Sequence, residues 1–493
     1  MNKLKIGLIN LIITFSLTGY AQLNNFDLAK YKLPEMKRKS METDINAYGE
    51  NYIYDRKYSI ANNQFKDESK YNNLNANLNF DYYSNSAKFQ REAYINLYFS
   101  GYYDHDKRDS SIDRINSSFT TQQNTHLINR RYITNRLFYE TDFYFNYNLY
   151  NSQYHQKNFY DSTESNTENN SQTFYGNIPL KIGIGRIEQV QDARHAVYIF
   201  KELSRNGSVS PDKTDEQIIE FAQFISQLNN KRFFDSRLKR MKQIESIDSF
   251  LRANNYVLNS DAKYFTTLGD IWDFGGRPIR NSGTRLSGVF QPGYYIYDYY
   301  SKDLINEYDN YQIKKRSFVL DGGIEFKHEK PLNLYWQNSI DLNCYAGIIK
   351  GINEFDHFYN DIKYNIPNLR IGFKHAIGFY PNTRTDLTFN YSLEYIQLFD
   401  KTDIQNNIPG IEGKRISASA GLDLNYYISP RFKLNATFSI RDSWSDSNNF
   451  DLSYVNMNST LYDLSTNSYS SNEFIKRNNF QTHYGLSLTY SIF

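Results

Sequence analysis

The chain has a single cysteine, Cys344, and only ten prolines among its 493 residues. One cysteine excludes an intramolecular disulfide and any cysteine-rich metal site. Beyond residue 21 the sequence also lacks an apolar run of the ~20 residues that a membrane-spanning helix needs. Neither charge sign dominates, since the chain has 56 Lys and Arg residues and 54 Asp and Glu residues. This near-neutral balance gives no argument for a nucleic-acid partner.

Tyrosine and phenylalanine are abundant instead, with 45 and 35 residues, and the mean hydropathy is −0.69. A soluble all-β chain of this length should divide into several sandwiches, each with its own aliphatic core. Valine, leucine and isoleucine are too few to form several such cores. The composition therefore favours another kind of β structure.

The first residues, MNKLKIGLINLIITFSLTGYAQ, have the three parts of a secretory signal. Lys3 and Lys5 form a positive start, residues 6–17 form an apolar stretch, and Ala21 ends a small-x-small cleavage site. We expect residues 1–21 to be removed as a signal peptide and the protein to be exported.

Residues 416–442, ISASAGLDLNYYISPRFKLNATFSIRD, alternate between apolar and polar side chains. A period of two indicates β-strands, because successive side chains point to opposite faces of the sheet. In hydrocarbon every backbone N–H and C=O must be bonded within the protein, which leaves helices or closed sheets. An apolar outside and a polar lumen also explain the low mean hydropathy. We therefore predict an all-β transmembrane antiparallel β-barrel.

Three hairpins share one construction, with a proline in each tight turn, at Pro331, Pro381 and Pro430. The prolines are 50 and 49 residues apart, so a pair of strands with one short and one long connection recurs. Extending the pattern gives about fourteen strands, with twelve or sixteen as alternatives. An even number returns both ends to the periplasm, where the short turns of bacterial barrels lie. The two halves of the barrel are then residues 22–186 and 283–493, and the largest outer loops are 103–121, 151–172 and 444–477.

The predicted lumen face carries charges of both signs. A ring of one sign would indicate ion selectivity, whereas a mixture also fits an interior closed by internal ion pairs. The sequence leaves these two interpretations open. The lumen-facing candidates are Glu325, Lys327, Asp341, Arg370, Lys374, Glu394, Asp423, Arg431 and Lys433.

Residues 187–282 interrupt the strand pattern and are predicted to be a periplasmic helical insert with a return linker. Apolar side chains recur at helical spacing through residues 187–256, which predicts three helices. Thr214 and Gln217 have the spacing of a capping box, and Leu238 and Met241 are among the expected core positions. The unit is either a plug or lid of the lumen, or a docking module for a periplasmic partner.

The insert also contains a local cluster of basic residues. Such a cluster is either the solvated face of a helix or a surface for anions or a polymer. Its members are Lys231, Arg232, Arg237, Lys239, Arg240 and Lys242.

The final segment, FQTHYGLSLTYSIF, resembles the last strand of Gram-negative outer-membrane β-barrel proteins, which commonly end in an aromatic residue. In that family the terminal aromatic is read by the barrel-insertion machinery, and Phe493 occupies its place. The resemblance covers the chain apart from the insert. It implies an outer-membrane location, contact with lipid and lipopolysaccharide, and insertion by that machinery, and it names no substrate.

The eight histidines are scattered, and none lies in HExxH or a comparable motif. His105 lies among Asp104, Asp106 and Asp109, where the residues are expected to form a solvated acidic loop. We predict no catalytic residue, metal or cofactor. The expected function is a passive or gated channel for polar solutes or a secreted polymer. The alternative is a surface structural or adhesion barrel that binds carbohydrate or a partner through long outer loops such as 446–476, with an enzyme in third place.

Overall fold

The computed structural model describes residues 26–58, 63–108, 112–159, 162–231, 236–305, 310–355, 361–399, 413–429, 432–448 and 474–490. The expected signal peptide, Arg431 and Phe493 lie outside these residues, as does most of the predicted outer loop 444–477.

One sheet contains every strand of the described part of the chain, and all its paired neighbours are antiparallel. The strands follow one another in chain order, as in a meander. Within the described residues β1 and β15 pair with one neighbour each. The strands are β1 Met36–Tyr58, β2 Asn63–Asn85, β3 Phe89–Arg108, β4 Ile112–Tyr132, β5 Leu137–Asn158, β6 Glu164–Asn177, β7 Leu180–Gln189, β8 Asn281–Asp303, β9 Tyr311–Pro331, β10 Trp336–Phe355, β11 Ile362–Phe379, β12 Thr385–Leu398, β13 Gly413–Ser429, β14 Phe432–Asn448 and β15 Phe474–Tyr490.

The strands β6 and β7 share one position in the sheet. Both lie between β5 and β8 and pair with each of them. They are separated at Ile178 and Pro179, where proline cannot donate to the ladder. Counted together, β6 and β7 leave fourteen strand positions, which is the predicted number.

The strands are longer than predicted, and two of the predicted outer loops are wrong. Most of 103–121 belongs to β3 and β4, and most of 151–172 belongs to β5 and β6. A bilayer needs only ~9–11 residues of a tilted strand, whereas β1 has 23. Beyond the bilayer both faces of a strand meet water, so the apolar–polar alternation that marks a strand in sequence disappears there.

Apolar side chains are exposed on one face of the sheet at alternate positions, as a lipid-facing surface requires. No described helix is long and apolar enough to cross a membrane. The predicted fold class, an all-β transmembrane antiparallel barrel with an inserted helical unit, is confirmed. The exposed apolar residues include Ile182, Ile184, Leu286, Phe290, Ile324, Leu342, Ile371, Leu393, Leu422 and Phe438.

Between β7 and β8 the described residues contain four helices, α1 Gln191–Arg205, α2 Asp215–Asn230, α3 Ser236–Ala253 and α4 Ala262–Gly275. The sequence predicts three, because the return segment before β8 has the glycines of a linker. In the structure this segment contains α4, which Asp261 caps by accepting a bond from the Tyr264 N–H. The predicted capping box of Thr214 and Gln217 is confirmed. We call residues 190–280 the helical unit.

The main apolar core lies in the helical unit and not in the sheet. Phe221, Ile225 and Leu251 are buried there, together with Leu28 and Tyr31 from the segment before β1. The predicted core positions Leu238 and Met241 are wrong, since both side chains are exposed. The N-terminal segment is therefore anchored to the helices before the chain enters the barrel.

Candidate functional site in the lumen and at its mouth

The inward face of the barrel is the face that the helical unit contacts. In β1, Arg38 Nε donates to Asn230 Oδ1 of α2 at 3.0 Å. In β2, Tyr83 packs against the core of the helical unit. Through the strand register, the residues that share this face can be followed from strand to strand. They are mostly polar, in contrast to the exposed apolar residues of the other face.

The β7–β8 ribbon, which leads to the helical unit, bends at two glycines and beyond them contacts the β2–β3 turn. Gly185 and Gly283 have φ values of 101° and 133°, which side chains other than glycine rarely adopt. A Cβ on Gly185 would lie 2.0 Å from the Thr284 carbonyl oxygen. Past this bend Arg186 donates to the Ser86 carbonyl oxygen, in the β2–β3 turn, at 2.7 Å. The ribbon thus joins the helices to the N-terminal strands.

A buried arginine joins the helical unit to the β9–β10 turn. Arg280 is 1% exposed, and its guanidinium donates to the carbonyl oxygens of Leu334 and Asn333 at 2.8 Å and Trp336 at 2.6 Å. Its Nε also donates to Gln337 Oε1 at 3.2 Å. Burial and the nearby positive charge of a second arginine lower the pKa of Arg280 to about 9. The four bonds fix the point at which the chain leaves the unit and enters β8.

That second arginine, Arg194 of α1, joins the helical unit to the β11–β12 turn. It is fully buried and donates to the Asn382 carbonyl oxygen at 3.3 Å and to the Arg277 carbonyl oxygen. The ring of Tyr380 lies 5.3 Å from the guanidinium of Arg194 and 5.3 Å from that of Arg280. Both cations therefore share one aromatic neighbour at the rim.

Further polar contacts continue around the mouth. Lys201 Nζ donates to Tyr335 Oη at 2.6 Å, and Arg384 forms an ion pair with Asp270 of α4. Together with the Arg38 contact in β1, these contacts attach the helical unit to the barrel at positions from the first strand to the β11–β12 turn. The helical unit is therefore attached to widely separated parts of the barrel wall at the end that carries the short turns.

Six of the nine lumen-facing candidates line one cavity of about 310 Å³: Glu325, Lys327, Asp341, Arg370, Lys374 and Glu394. Asp423 accepts a bond from Asn390 Nδ2 at 3.0 Å on the same face. Lys433, opposite Tyr427, belongs to the same face by register.

The charges on this side of the lumen are arranged in pairs. Arg370 bonds Asp321, and both side chains are buried. Glu394 lies 3.9 Å from Arg415 and 3.6 Å from Arg441. Because these charges neutralise one another, this side of the lumen fits an interior closed by internal ion pairs better than a selectivity ring of one sign.

The sequence reasoning missed a buried ion cluster, which lies between β4, β5, β7 and β9. Lys181 Nζ is 3.4 Å from Glu140, 3.6 Å from Asp142 and 3.0 Å from Glu325. Arg130 forms an ion pair with Glu140 and donates to Gln90 at 2.9 Å. Glu140 and Asp142, two residues apart in a predicted strand, were the available signal, since they must share a face.

The reasoning also missed a row of asparagines on the inward face of β2–β5. Asn79, Asn96, Asn124 and Asn146 stand opposite one another in successive strands. Asn96 Nδ2 donates to Asn79 Oδ1 at 2.8 Å, Asn124 Nδ2 to Asn96 Oδ1 at 3.4 Å, and Asn146 Nδ2 to Asn124 Oδ1. This part of the lumen wall carries amides where the opposite part carries charges. We call Asn79, Asn96, Asn124 and Asn146 the amide row.

The predicted basic cluster divides into different environments. Lys231 and Lys239 line a cavity of about 810 Å³ between the helical unit and the wall of β1–β4. Arg240 pairs with Asp273 at 2.8 Å, and Lys242 is exposed. Arg232 and the side chain of Arg237 lie outside what the structure describes.

Asp104, His105 and Asp106 lie in β3, so the expectation of a loop at these residues is wrong, and Asp109 lies outside the described residues. His105 Nε2 is 2.9 Å from Asp113, and Asp106 bonds Arg114 at 3.1 Å. Among the described residues no group of His, Cys, Asp and Glu side chains is suited to hold a metal ion.

No family model and no curated protein matches the chain. Solved structures that align with it include the deltaS2S3 mutant of the monoaromatic hydrocarbon channel TodX, at 10% identity and a TM-score of 0.27, covering 84% of this chain and 88% of that chain. Two structures of the toluene transporter TodX of Pseudomonas putida align at 10% and 9% identity, with TM-scores of 0.25 and 0.24. They cover 84% and 82% of this chain and 86% and 82% of those chains. At scores this low, the fold class rests on the strands and register described above.

Proposed function

We propose that the protein is an outer-membrane channel for polar solutes or a secreted polymer, and that the helical unit plugs or gates its periplasmic mouth. The observation that carries the proposal is the attachment of this unit to β1, to the β9–β10 turn and to the β11–β12 turn. A polar lumen supplies the path, and buried bonds hold the unit across one end of it.

The orientation follows from the strand count. With fourteen strand positions, both ends of the barrel lie on the side of the short turns and of the helical unit. Short turns are periplasmic in single-chain outer-membrane barrels. The segment 26–35 and the helices then face the periplasm, where a partner could release the plug. The long outer loop of the adhesion alternative lies mostly outside the described residues.

The test is single-channel recording in planar bilayers. A variant lacking residues 190–280, with Asn-Gly joining Gln189 to Asn281, should close the β7–β8 ribbon, because these two residues are paired in the ladder. Residues 22–35 are removed with the unit, since Leu28 and Tyr31 are buried against it. We expect rare or small current steps from the mature protein and large, steady steps from the variant.

Both proteins must first show the heat-dependent gel mobility of a folded barrel. Equal, steady conductance from both would show that the unit does not obstruct the lumen. No conductance from either folded protein would overturn the channel proposal.

A further inference from the structure

The lumen has two chemically different walls. On β7–β14 the inward side chains include ion-paired charges such as Lys181, Glu325 and Arg370. On β2–β5 the amide row crosses the wall, and further amides flank it at Asn77 and Asn148. A ligand that contacts the second wall at this level meets donors and acceptors without formal charge.

The amide row retains unused hydrogen-bonding capacity. Each asparagine side chain has two N–H donors and an oxygen with two lone pairs. Asn124 uses one donor and one lone pair within the row, so one of each remains. Asn96 donates to both Asn79 and Asn77, so its remaining capacity is the second lone pair of its Oδ1. Asn79 Oδ1 accepts from both Asn96 and Tyr94, so the remaining capacity of Asn79 is its amide N–H groups. Asn148 Oδ1 is buried and has no hydrogen-bond partner among the described residues. The wall therefore offers donors and acceptors side by side, as a ligand rich in hydroxyl groups requires.

Tyrosines on the same face add aromatic surfaces, at Tyr98 next to the amide row and at three positions six or more residues further along the strands. Tyr98 Oη donates to Asn75 Oδ1 at 3.0 Å. The ring of Tyr71 lies 5.8 Å from that of Tyr48 and 5.3 Å from that of Tyr102, both in edge-on geometry. Phenol rings combine an apolar face with a polar hydroxyl, and the C–H face of a sugar ring packs against such a surface.

We infer that the wall of β2–β5 binds an uncharged oligosaccharide chain as it passes through the lumen. This inference rests on the proposed channel function and gives the polar cargo a chemical class. Sugar hydroxyls both donate and accept, which matches the amides. The inward side chains of residues 73–79, 96–102, 118–124 and 146–152 carry no formal charge, so this stretch of the wall offers no counter-charge to an acidic or basic polymer. Of the ionisable residues next along this face, His126 and Asp142 bond each other at 2.8 Å. The ion-paired charges of the opposite wall neutralise one another, so we expect the ligand to bind the amide side.

The alternative role for the amide row is purely structural, as cross-strand stabilisation of the sheet. A matched control distinguishes this structural role from ligand binding. The test variant is Asn96→Leu with Asn124→Leu, which keeps the side-chain size and removes the amides. The control is Asn151→Leu. Asn151 lies on the outward face of β5 and bonds Asn170 of the neighbouring strand, so its loss also removes an inter-strand amide bond.

The full mature protein and both variants are titrated calorimetrically in detergent with maltohexaose, cellopentaose and chitohexaose, and with a galacturonic acid hexamer as the charged probe. We expect at least one neutral probe to bind the unmodified protein and the charged hexamer to bind far more weakly. The double variant should lose about tenfold or more in affinity through at least two hydrogen bonds. The Asn151→Leu control should bind as tightly as the unmodified protein.

Any of three results would overturn the inference: none of the three neutral probes binds, the charged hexamer binds as tightly as the neutral probes, or Asn151→Leu loses as much affinity as the double variant. Current recordings in salt alone distinguish this failure from failure of the channel. If the protein conducts but binds no sugar, the channel proposal stands and the oligosaccharide inference fails. If sugar binds but neither the mature protein nor the variant lacking residues 190–280 conducts, the binding wall stands and the channel proposal fails.

Discussion

Arg280 Nη1 lies 2.8 Å from the carbonyl oxygen of Leu334, and this bond ties the exit of the helical unit to the β9–β10 turn. We predict that Arg280→Met detaches this side of the unit, because the carbonyl oxygens of the turn lose their donors while remaining buried. Unsatisfied buried groups cost about 1–3 kcal/mol each. Hydrogen exchange of residues 332–337 and of α1 should accelerate, and current steps should become larger or more frequent.

The matched control for Arg280 is Arg205→Met at the end of α1. Arg205 is largely exposed and pairs with Glu202 three residues earlier, a contact worth less than about 0.5 kcal/mol. Exchange rates should stay unchanged in this control. If Arg280→Met behaved like the control, the bonds at the β9–β10 turn would not hold the unit.

A second prediction concerns Lys181, the cation among Glu140, Asp142 and Glu325. Lys181→Met leaves these carboxylates in the lumen wall with fewer positive neighbours, and breaking a buried pair in this way costs roughly 3–5 kcal/mol. The temperature at which the barrel loses its folded gel mobility should fall clearly.

Lys327→Met is the comparison for Lys181. Lys327 lies on the same face, is more exposed, and its nearest carboxylate, Glu329, is 3.8 Å away. Its removal should cost less than about 1 kcal/mol. Equal melting of the two variants would contradict a special role for the cluster around Lys181.

The sequence predicts the number of strands but not the groups that meet across them. Period-two alternation is local, so it assigns Glu325 and Arg370 to a face without knowledge of their neighbours. The cluster of Lys181 with Glu140 and the amide row depend on the register between strands, which follows from the fold as a whole. The fourth helix was missed for a related reason, since its glycines resemble those of a linker.

A third prediction concerns the bend at Gly185. Gly185→Ala places a Cβ 2.0 Å from the Thr284 carbonyl oxygen at a φ of 101°, so the ribbon must open or unpair there. Gly288→Ala, in the same ribbon, is the control, because its nearest neighbour would be 3.9 Å away. We expect Gly185→Ala alone to loosen the helical unit, measured as faster proteolysis within residues 190–280. Equal digestion of the two variants would count against the bend as the hinge of the unit.

The fourth prediction concerns pH, through His195 in α1. The imidazole is buried, its Nε2 lies 3.1 Å from the Ile271 carbonyl oxygen, and the ring stacks on Trp272 at 4.9 Å between centroids. Its Nδ1 has no hydrogen-bond partner among the described residues. Burial lowers the pKa of His195 from 6.5 to about 4, with a bond to the Ile271 carbonyl opposing the shift and the charge of Arg194 adding to it.

The sign follows from proton binding in the two states. Between pH 6.5 and 4 the unfolded state binds a proton at His195 that the folded state does not, so stability falls as the pH falls through this window. Lowering the pH from about 7.5 to about 5 should cost roughly 2 kcal/mol. Asp192, whose pKa is raised by burial, acts in the opposite direction. It is common to the unmodified protein and His195→Gln, so the difference between them isolates the histidine.

The glutamine side chain of the His195→Gln variant can still donate to the Ile271 carbonyl oxygen, and it does not titrate. Hydrogen exchange of α1 and α4 is therefore measured at about pH 7.5 and about pH 5 in both proteins. We expect the unmodified protein to lose protection at the lower pH and His195→Gln to lose markedly less. Identical pH dependence would show that His195 does not set the acid sensitivity of the unit. If His195 does set it, acid conditions should also raise the open probability of the channel, because the helices that loosen are those that cross its mouth.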